Sequence, residues 1–357
     1  MTETQDDAKA VRKGEELDLP ALAAFLDKEL GAHGPVTVEQ FPGGHSNLTY
    51  LVHHGDREYV RDRSGSSGRP PFGSKVKSAH DMGREVAVLS KLAPVYSRAP
   101  HVIAYRDQPD ILGAPFYLME RRRGVIIRKE LPPNLTESKV RELGNHLVDA
   151  LVDLHAVDYA AAGLGDFGKP AGYIDRQVRG WSERYVGSQT DDIPAMTSVA
   201  AWLAEHKPAE VPPSLIHNDF KLDNVIFDPS LDRITGVLDW EMATIGDPLM
   251  DLGSSLSYWV ESTDAPVFQM PIFGVTMKPG MFKRVDFAAR YFERSGRKTD
   301  QIVFYYAFGL FKTAVVLQQI YYRFAKGLTQ DQRFAPFIHV VRALGDQAQR
   351  SIDRNSL

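Results

Sequence analysis

The period of the apolar residues changes near position 120, and that change limits the fold more than any other feature of the chain. Before it, short runs alternate: Val36 and Val38, then Leu48, Tyr50 and Val52, then Tyr59 and Val60. β-Branched and aromatic residues at period two, separated by the turn formers "PGGHSN" and "HHGD", read as a meander of antiparallel strands. "HVIAYRD" and "APFYLMER" add two more strands. Two helices interrupt them. "DLPALAAFLDKEL" offers Asp18 as a cap and Pro20 in its first turn. Residues 78–92 set Met82, Val86, Leu89 and Leu92 at helical spacing. "SGSSGRPPFGSK" is a loop of Gly, Ser and Pro.

After position 120 the period becomes helical. "NLTESKVRELGNHLVDALVDLHAVD" carries a stripe of Val140, Leu143, Leu147, Leu151 and Leu154, with Asn134 and Glu137 in capping-box positions. Helical spacing recurs at 199–206. "IVFYYAFGLFKTAVVLQQIYYRFAKG" is largely apolar, but Lys312, Arg323 and a break at Gly309 mark a buried helix of a helical lobe, not a membrane span. The expected organisation is an α+β chain with a mobile tail at 1–17, a sheet-rich lobe at 18–120 and a helix-rich lobe at 121–357. A linker falls near 119–124. A length of 357 residues suits two such lobes.

Composition narrows the function classes. The formal net charge of −4 supplies no basic field for nucleic acid or an anionic membrane. The absence of cysteine excludes disulfides, thiolate zinc sites and cysteine nucleophiles. No uninterrupted apolar run reaches the ~20 residues of a span, and the polar start "MTETQDDAKAVRKGEELD" is unlike a secretory signal. The expectation is a cytoplasmic protein whose partner is a small molecule.

The chemistry concentrates in "HNDFKLDN", residues 217–224. An Asx-rich turn is its plain structural reading. Asp219 and Asn224 stand five residues apart, and Asp239 ends the apolar run "ITGVL" soon after. Two carboxylates and an amide oxygen suit Mg²⁺, a hard cation held by one or two carboxylates plus substrate phosphates. D-x-x-x-x-N, then a strand, then Asp is also the order of protein kinases, though here the loop begins "HND" and the second motif is "DWE". "LIHNDFKLDNVIFD…ITGVLDWEMATIGDPLMDLG" resembles the aminoglycoside phosphotransferase family, whose loop reads H-G-D-x-x-x-x-N and whose metal motif reads [IL]-D-W. "GGHSNLTYLV", "AHDMGREVAVLSKL", "FYLMER" and "DLHAVDYAAAGLGDFGKPAGYIDRQVRGW" are similar to the subgroup also found fused to acyl-CoA dehydrogenases. The likeness runs from about 35 to at least 325.

The resemblance implies a bilobal protein-kinase-like fold with ATP and Mg²⁺ as cofactors. The N-lobe would bind nucleotide, and the C-lobe would carry catalysis and the substrate. Asp219 would serve as base or orienter for the substrate hydroxyl, and Asn224 and Asp239 would hold magnesium. His217 would brace the loop. Lys221 would meet the γ-phosphate or face solvent. Asp247 is a natural N-cap, and Asp251 would support the catalytic loop. Gly43, Gly44, Ser46 and Asn47 would cover the phosphates, and main-chain groups near Glu120 would bond the adenine. Glu85 would pair with a cation of the third strand. There the chain departs from the family: Asp62 stands where relatives have a cation. Arg61, Arg63 and Arg69 are the neighbouring candidates, with Arg61 favoured.

"GLGDFGKP", residues 163–170, fits G-x-x-x-x-G-K, but Pro170 replaces the Ser or Thr that a P-loop needs. Tyr258, Trp259, Phe268 and Phe273, with Arg176, Arg179 and Arg184, suggest an apolar and cationic acceptor site. The expected function is an ATP- and Mg²⁺-dependent O-phosphotransferase acting on a small-molecule hydroxyl, such as that of a hydroxy acid or hydroxyacyl compound. The alternatives are a nucleotide-binding pseudokinase, motivated by Asp62, and a metal phosphohydrolase.

Overall fold

The computed structural model describes residues 8–31, 33–41, 47–64, 82–269 and 273–357, with the backbone alone at 47 and 62–64. The chain forms two compact units, Met1–Ile126 with Ile226–Met242, and Ile127–Val225 with Ala243–Leu357.

The first unit opens with helix α1 (Leu19–Leu30). Asp18 accepts the Ala21 N–H at 3.0 Å, and Gly31 closes the helix in the left-handed region. Strands β1 (Val36–Gln40), β2 (Asn47–His54), β3 (Arg57–Ser64), β4 (Val102–Arg106) and β5 (Phe116–Glu120) form an antiparallel sheet in the order β1-β2-β3-β5-β4. α1 packs Leu22, Phe25 and Leu26 against Val52, Tyr59, Phe116 and Leu118 on one face of this sheet. The register sets Arg61 opposite Tyr50 and Leu118, so period two gives it that same face. Helix α2 (Met82–Leu92) follows; its expected beginning at 78 lies outside the described residues.

The tail expected at 1–17 is tethered where it is described. Lys9 and Gln40 exchange main-chain bonds of 2.9 and 2.7 Å, and Tyr50 Oη donates to the Glu15 carbonyl at 2.8 Å. Strand β1 lies at the sheet edge, and its main-chain groups take this segment.

Residues 226–242 return to the first unit, which a single cut near 120 does not foresee. β7 (Val225–Phe227) pairs with β8 (Ile234–Val237). Val125 and Phe227 exchange bonds of 2.8 and 2.9 Å, and the Val237 N–H donates to the Arg98 carbonyl at 2.8 Å. Gly124, at φ +159°, permits this approach, since a Cβ there would stand 2.0 Å from the Phe227 oxygen.

The second unit is mainly helical: α3 (Glu137–His155), α4 (Tyr173–Ser188), α5 (Pro194–Glu205), α6 (Pro248–Ser257), α7 (Arg284–Ser295), α8 (Ile302–Ala325) and α9 (Phe337–Arg354). A short pair of strands, β6 (Ser214–Ile216) and β9 (Thr244–Gly246), runs antiparallel within it. The cap of α3 is Thr136, whose hydroxyl accepts the Lys139 N–H at 3.2 Å; Asn134 instead turns the preceding chain at φ +63°. Asp247 caps α6 by accepting the Leu249 N–H at 2.7 Å, with Pro248 in the first turn.

α8 does not break at Gly309. A Cβ there would lie 2.1 Å from the Gly253 carbonyl, so this glycine marks a close approach of α8 to α6. By length and composition alone α8 could cross a membrane, but 83% of its most apolar stretch is buried, against α4, α5, α6 and α9. It is the core helix of its unit.

Candidate active site

β6 ends at Ile216, and the loop from His217 leads through a 3-10 turn at Leu222–Asn224 into β7. Asn218 adopts φ +67°, a region that Asn tolerates better than most residues and that glycine enters freely. That conformation accounts for asparagine where the H-G-D pattern has glycine. Three polar groups of Asn218 are held. Its N–H donates to Asp251 Oδ1 at 2.8 Å, its carbonyl accepts from Lys312 Nζ at 2.6 Å, and its Oδ1 accepts from Tyr173 Oη at 3.2 Å.

Asp251, fully buried on α6, also accepts the His217 N–H at 2.7 Å. His155 Nε2 lies 3.1 Å from the same carboxylate, and its Nδ1 is 2.8 Å from Tyr291 Oη. Burial would raise the Asp251 carboxyl, but the bond and charge of His155 and the charge of His217 hold it below the usual carboxylate range.

Asp219 keeps 17% of its side-chain surface and is fixed by two donors. Lys221 Nζ stands 2.9 Å from Oδ2, and Asn224 Nδ2 donates to Oδ2 and to the Asp219 carbonyl, both at 2.9 Å. Burial would raise this carboxyl too; Lys221 by charge and hydrogen bond, then His217 and Lys312 by charge, hold it low. It is therefore an ionised carboxylate of fixed orientation. Lys221 rides 4.6 Å above the Tyr258 ring, and its ammonium is held well above its ordinary value: burial opposes the charge, and Tyr258 and Asp219 outweigh it.

Only the amide nitrogen of Asn224 can donate to both Asp219 oxygens, so its Oδ1 is the end left to accept. A neutral hard oxygen is a fitting ligand for magnesium. Among the described residues no cluster of three or more His, Cys, Asp or Glu could hold a metal, and magnesium completed by phosphates needs none. Asp239 belongs to the first unit, beyond β8, with φ +66°. Glu85, 5% exposed, accepts the N–H of the next residue, Trp240, at 3.2 Å. The helix glutamate expected to meet a strand cation thus also anchors the chain that carries Asp239.

Arg61 is a correction. It has no exposed surface, and its guanidinium carbon lies 5.3 Å from the Tyr50 ring centre and 5.0 Å from that of Phe116. The one-residue alternation of β3 aims it at the α1 side, into the core of the unit, and leaves it no surface for a phosphate. Gly43, Gly44, Ser46 and Arg69 lie outside the described residues. Asn47 opens β2, with its side chain outside them. Glu120 ends β5, where its carboxylate accepts the His101 N–H at 2.9 Å and pairs with Arg122 at 2.5 Å.

The G-x-x-x-x-G-K look-alike is structural. A Cβ on Gly168 would stand 2.6 Å from the Ile245 nitrogen, and Arg176 binds the carbonyls of Lys169 and Ala171. Of the other arginines expected near the acceptor, Arg179 pairs with Asp175 at 3.4 Å, and Arg184 lies 4.6 Å over the Trp181 ring. Trp259 stacks on Phe282 at 5.0 Å, and Phe268 meets Phe273 edge-on at 5.1 Å, so these rings are largely core. Tyr258 and Phe273 nonetheless line a narrow cavity with Lys221, Leu222, Gly274 and Thr276. Tyr173 and Lys312 escaped sequence reasoning as loop-holding residues; the one available signal was a lysine within an otherwise apolar helix.

Residues 37–274 match the profile of the phosphotransferase enzyme family. Acyl-CoA dehydrogenase family member 10 of Mus musculus is 34% identical over 323 residues, which are 89% of this chain and 30% of that protein. The chain thus spans less than a third of that relative's length. A crystal structure of a Ralstonia eutropha protein, assigned as an aminoglycoside phosphotransferase, matches with TM-score 0.80 at 28% identity and covers 95% of this chain and 99% of that one. A thermostable mutant of aminoglycoside phosphotransferase APH(4)-Ia, solved as a ternary complex with ADP and hygromycin B, has the same fold, with TM-score 0.60 at 18% identity over 93% of this chain and 98% of its own. The fold is the α+β fold of aminoglycoside phosphotransferases, sheet-rich in its N-terminal region and helical in its C-terminal region, and the chain belongs to the phosphotransferase enzyme family.

Proposed function

We propose that the chain transfers the γ-phosphoryl group of ATP to the hydroxyl of a small molecule, with magnesium as cofactor and hydroxy acids or hydroxyacyl compounds as the acceptor class. The observation that carries this reading is the Asp219 carboxylate, ionised and oriented by Lys221 and Asn224 at 2.9 Å each. The acceptor oxygen attacks the γ-phosphorus, the bond to the β–γ bridging oxygen breaks, ADP leaves, and Asp219 takes the hydroxyl proton. Asn224 and Asp239 are the residues that would hold magnesium, which when bound neutralises charge on the phosphoryl oxygens. Nucleotide use is supported by the ADP in the APH(4)-Ia complex. Gly43, Gly44, Ser46, Asn47 and the main chain near Glu120 keep the nucleotide-binding role that the family likeness gives them. The acceptor class is supported by the pairing of a cation with an apolar face beside Asp219: Lys221 Nζ stands 2.9 Å from the carboxylate and 4.6 Å from the Tyr258 ring centre.

The test is transfer of labelled γ-phosphate to hydroxy acids, hydroxyacyl-CoAs, sugars and aminoglycosides. Asp219→Asn is expected to cut turnover by about 10²–10⁴-fold; undiminished turnover would remove the proposed base. A second reading, a nucleotide-binding pseudokinase, is favoured by one observation, the burial of Arg61. Nucleotide binding without γ-phosphate transfer to any acceptor class would select it.

A further inference from the structure

α8 carries a lysine where its neighbours are apolar. Lys312 is 8% exposed, and among the described residues it has no carboxylate within ion-pair distance. A buried ammonium without such a partner is costly, so what it does bond to is informative. Nζ donates to the Asn218 carbonyl at 2.6 Å, approaches Ser254 Oγ at 3.4 Å, and lies 5.9 Å from the Trp181 ring centre. The Asn218 carbonyl belongs to the peptide unit that leads into Asp219. The other end of that unit, the Asp219 N–H, donates to His217 Nδ1 at 3.3 Å.

We propose that Lys312 is a positioning residue for phosphoryl transfer: its ammonium locks the Asn218–Asp219 peptide plane and so aims the Asp219 carboxylate. The means of delivery is in the helix contact. Gly309, about one turn earlier, lets α8 lie against the Gly253 main chain. Lys312 then passes Ser254 of α6 and reaches the loop. Tyr173 holds the Asn218 side-chain oxygen and Asp251 its N–H, but neither bonds to its carbonyl. Lys312 also adds positive charge near Asp219, which favours the ionised carboxylate.

The inference rests on the proposed function only in naming the reaction, and the experiment separates the two. Hydrogen exchange of the segment 215–222 is followed by mass spectrometry in the full chain, for wild type, Lys312→Met and Lys312→Arg. Gln318→Leu is the control: this buried α8 residue binds Ser188 and Thr190, away from the loop. Lys312→Met should exchange about 10- to 100-fold faster within 215–222, the size of a lost bond from a charged donor, with little change elsewhere. Lys312→Arg should recover most of that protection, and Gln318→Leu should leave this segment as in wild type. With ATP as the varied substrate, Lys312→Met should lower kcat by a similar factor and leave KM for ATP within about threefold. Unchanged exchange in 215–222, or acceleration spread evenly over α4, α6 and α8, overturns the proposal. If wild type transfers no phosphate, the function fails while exchange still decides the positioning role. Should Lys312→Met not fold, Lys312→Gln replaces it and is read by the same criteria.

Discussion

Arg61 in the sheet-rich unit and Lys312 in the helix-rich unit are both cations inside apolar surroundings, and they are accommodated differently. The guanidinium of Arg61 lies against two ring faces. It is planar and weakly hydrated, and stacking satisfies much of what it needs. The ammonium of Lys312 is a compact, strongly hydrated charge, and it is directed at a single carbonyl. Stacking makes Arg61 part of a core; a directed bond makes Lys312 an instrument of orientation. The charge that matters for chemistry is the one whose geometry points somewhere.

That contrast can be broken most forcefully at the centre of the loop support. Asp251→Asn leaves one of the two loop amides without its acceptor and removes a buried charge, which should cost about 3–5 kcal/mol and lower Tm by roughly 5–15 °C. The same variant bears on pH. Asp251 titrates below its ordinary value, and His155 is lowered by burial against the pull of Asp251. The folded chain therefore binds fewer protons than the unfolded one from about pH 6.5 down past 4. The stability contributed by this pair is complete above that range and is lost as pH falls through it. Asp247, pushed up to about 6 mainly by burial, works in the opposite sense between about pH 4 and 6. Thermal melts against pH in an Asp247→Asn background should isolate the acid-labile limb, and Asp251→Asn should flatten it; an unflattened limb would assign the lability elsewhere.

A smaller effect is expected where α8 meets α6. Gly309→Ala places a methyl group against the Gly253 carbonyl and should cost about 1–3 kcal/mol, read as a fall in Tm and as faster exchange in 215–222. The smallest is expected at Arg61. Arg61→Met should shift stability by no more than about 1 kcal/mol in either direction and leave γ-phosphate transfer within about threefold. Loss of transfer in a well-folded Arg61→Met protein would return this arginine to the phosphates and erase the contrast.

Much of this was legible from local signals. Asp18 and Asp247 cap helices because a short acceptor before an apolar run does so in most contexts, and the loop motif singled out Asp219 and Asn224, which the structure joins by hydrogen bonds. What escaped depended on partners distant in sequence. The face taken by Arg61 follows from pairing with Tyr50 and Leu118, which no run of β3 residues encodes. Gly309 looked like a helix breaker because its reason, Gly253, lies over fifty residues away. Asn134 had the right residue type for a cap, and only the backbone decides that Thr136 takes the position. The return of 226–242 is a question of which surface that hairpin covers, and its own composition is silent on it.

The Val125–Phe227 ladder, the Arg98 bonds and the Trp240–Glu85 contact make the first unit discontinuous in sequence. No contiguous stretch of gene therefore encodes it. A fragment ending at Ile126 would be deprived of its own hairpin, and a fragment beginning there would carry that hairpin with nothing of its own to rest on. The polypeptide crosses from one body to the other three times. Moving this pair of units between longer proteins is thus feasible only as an undivided block.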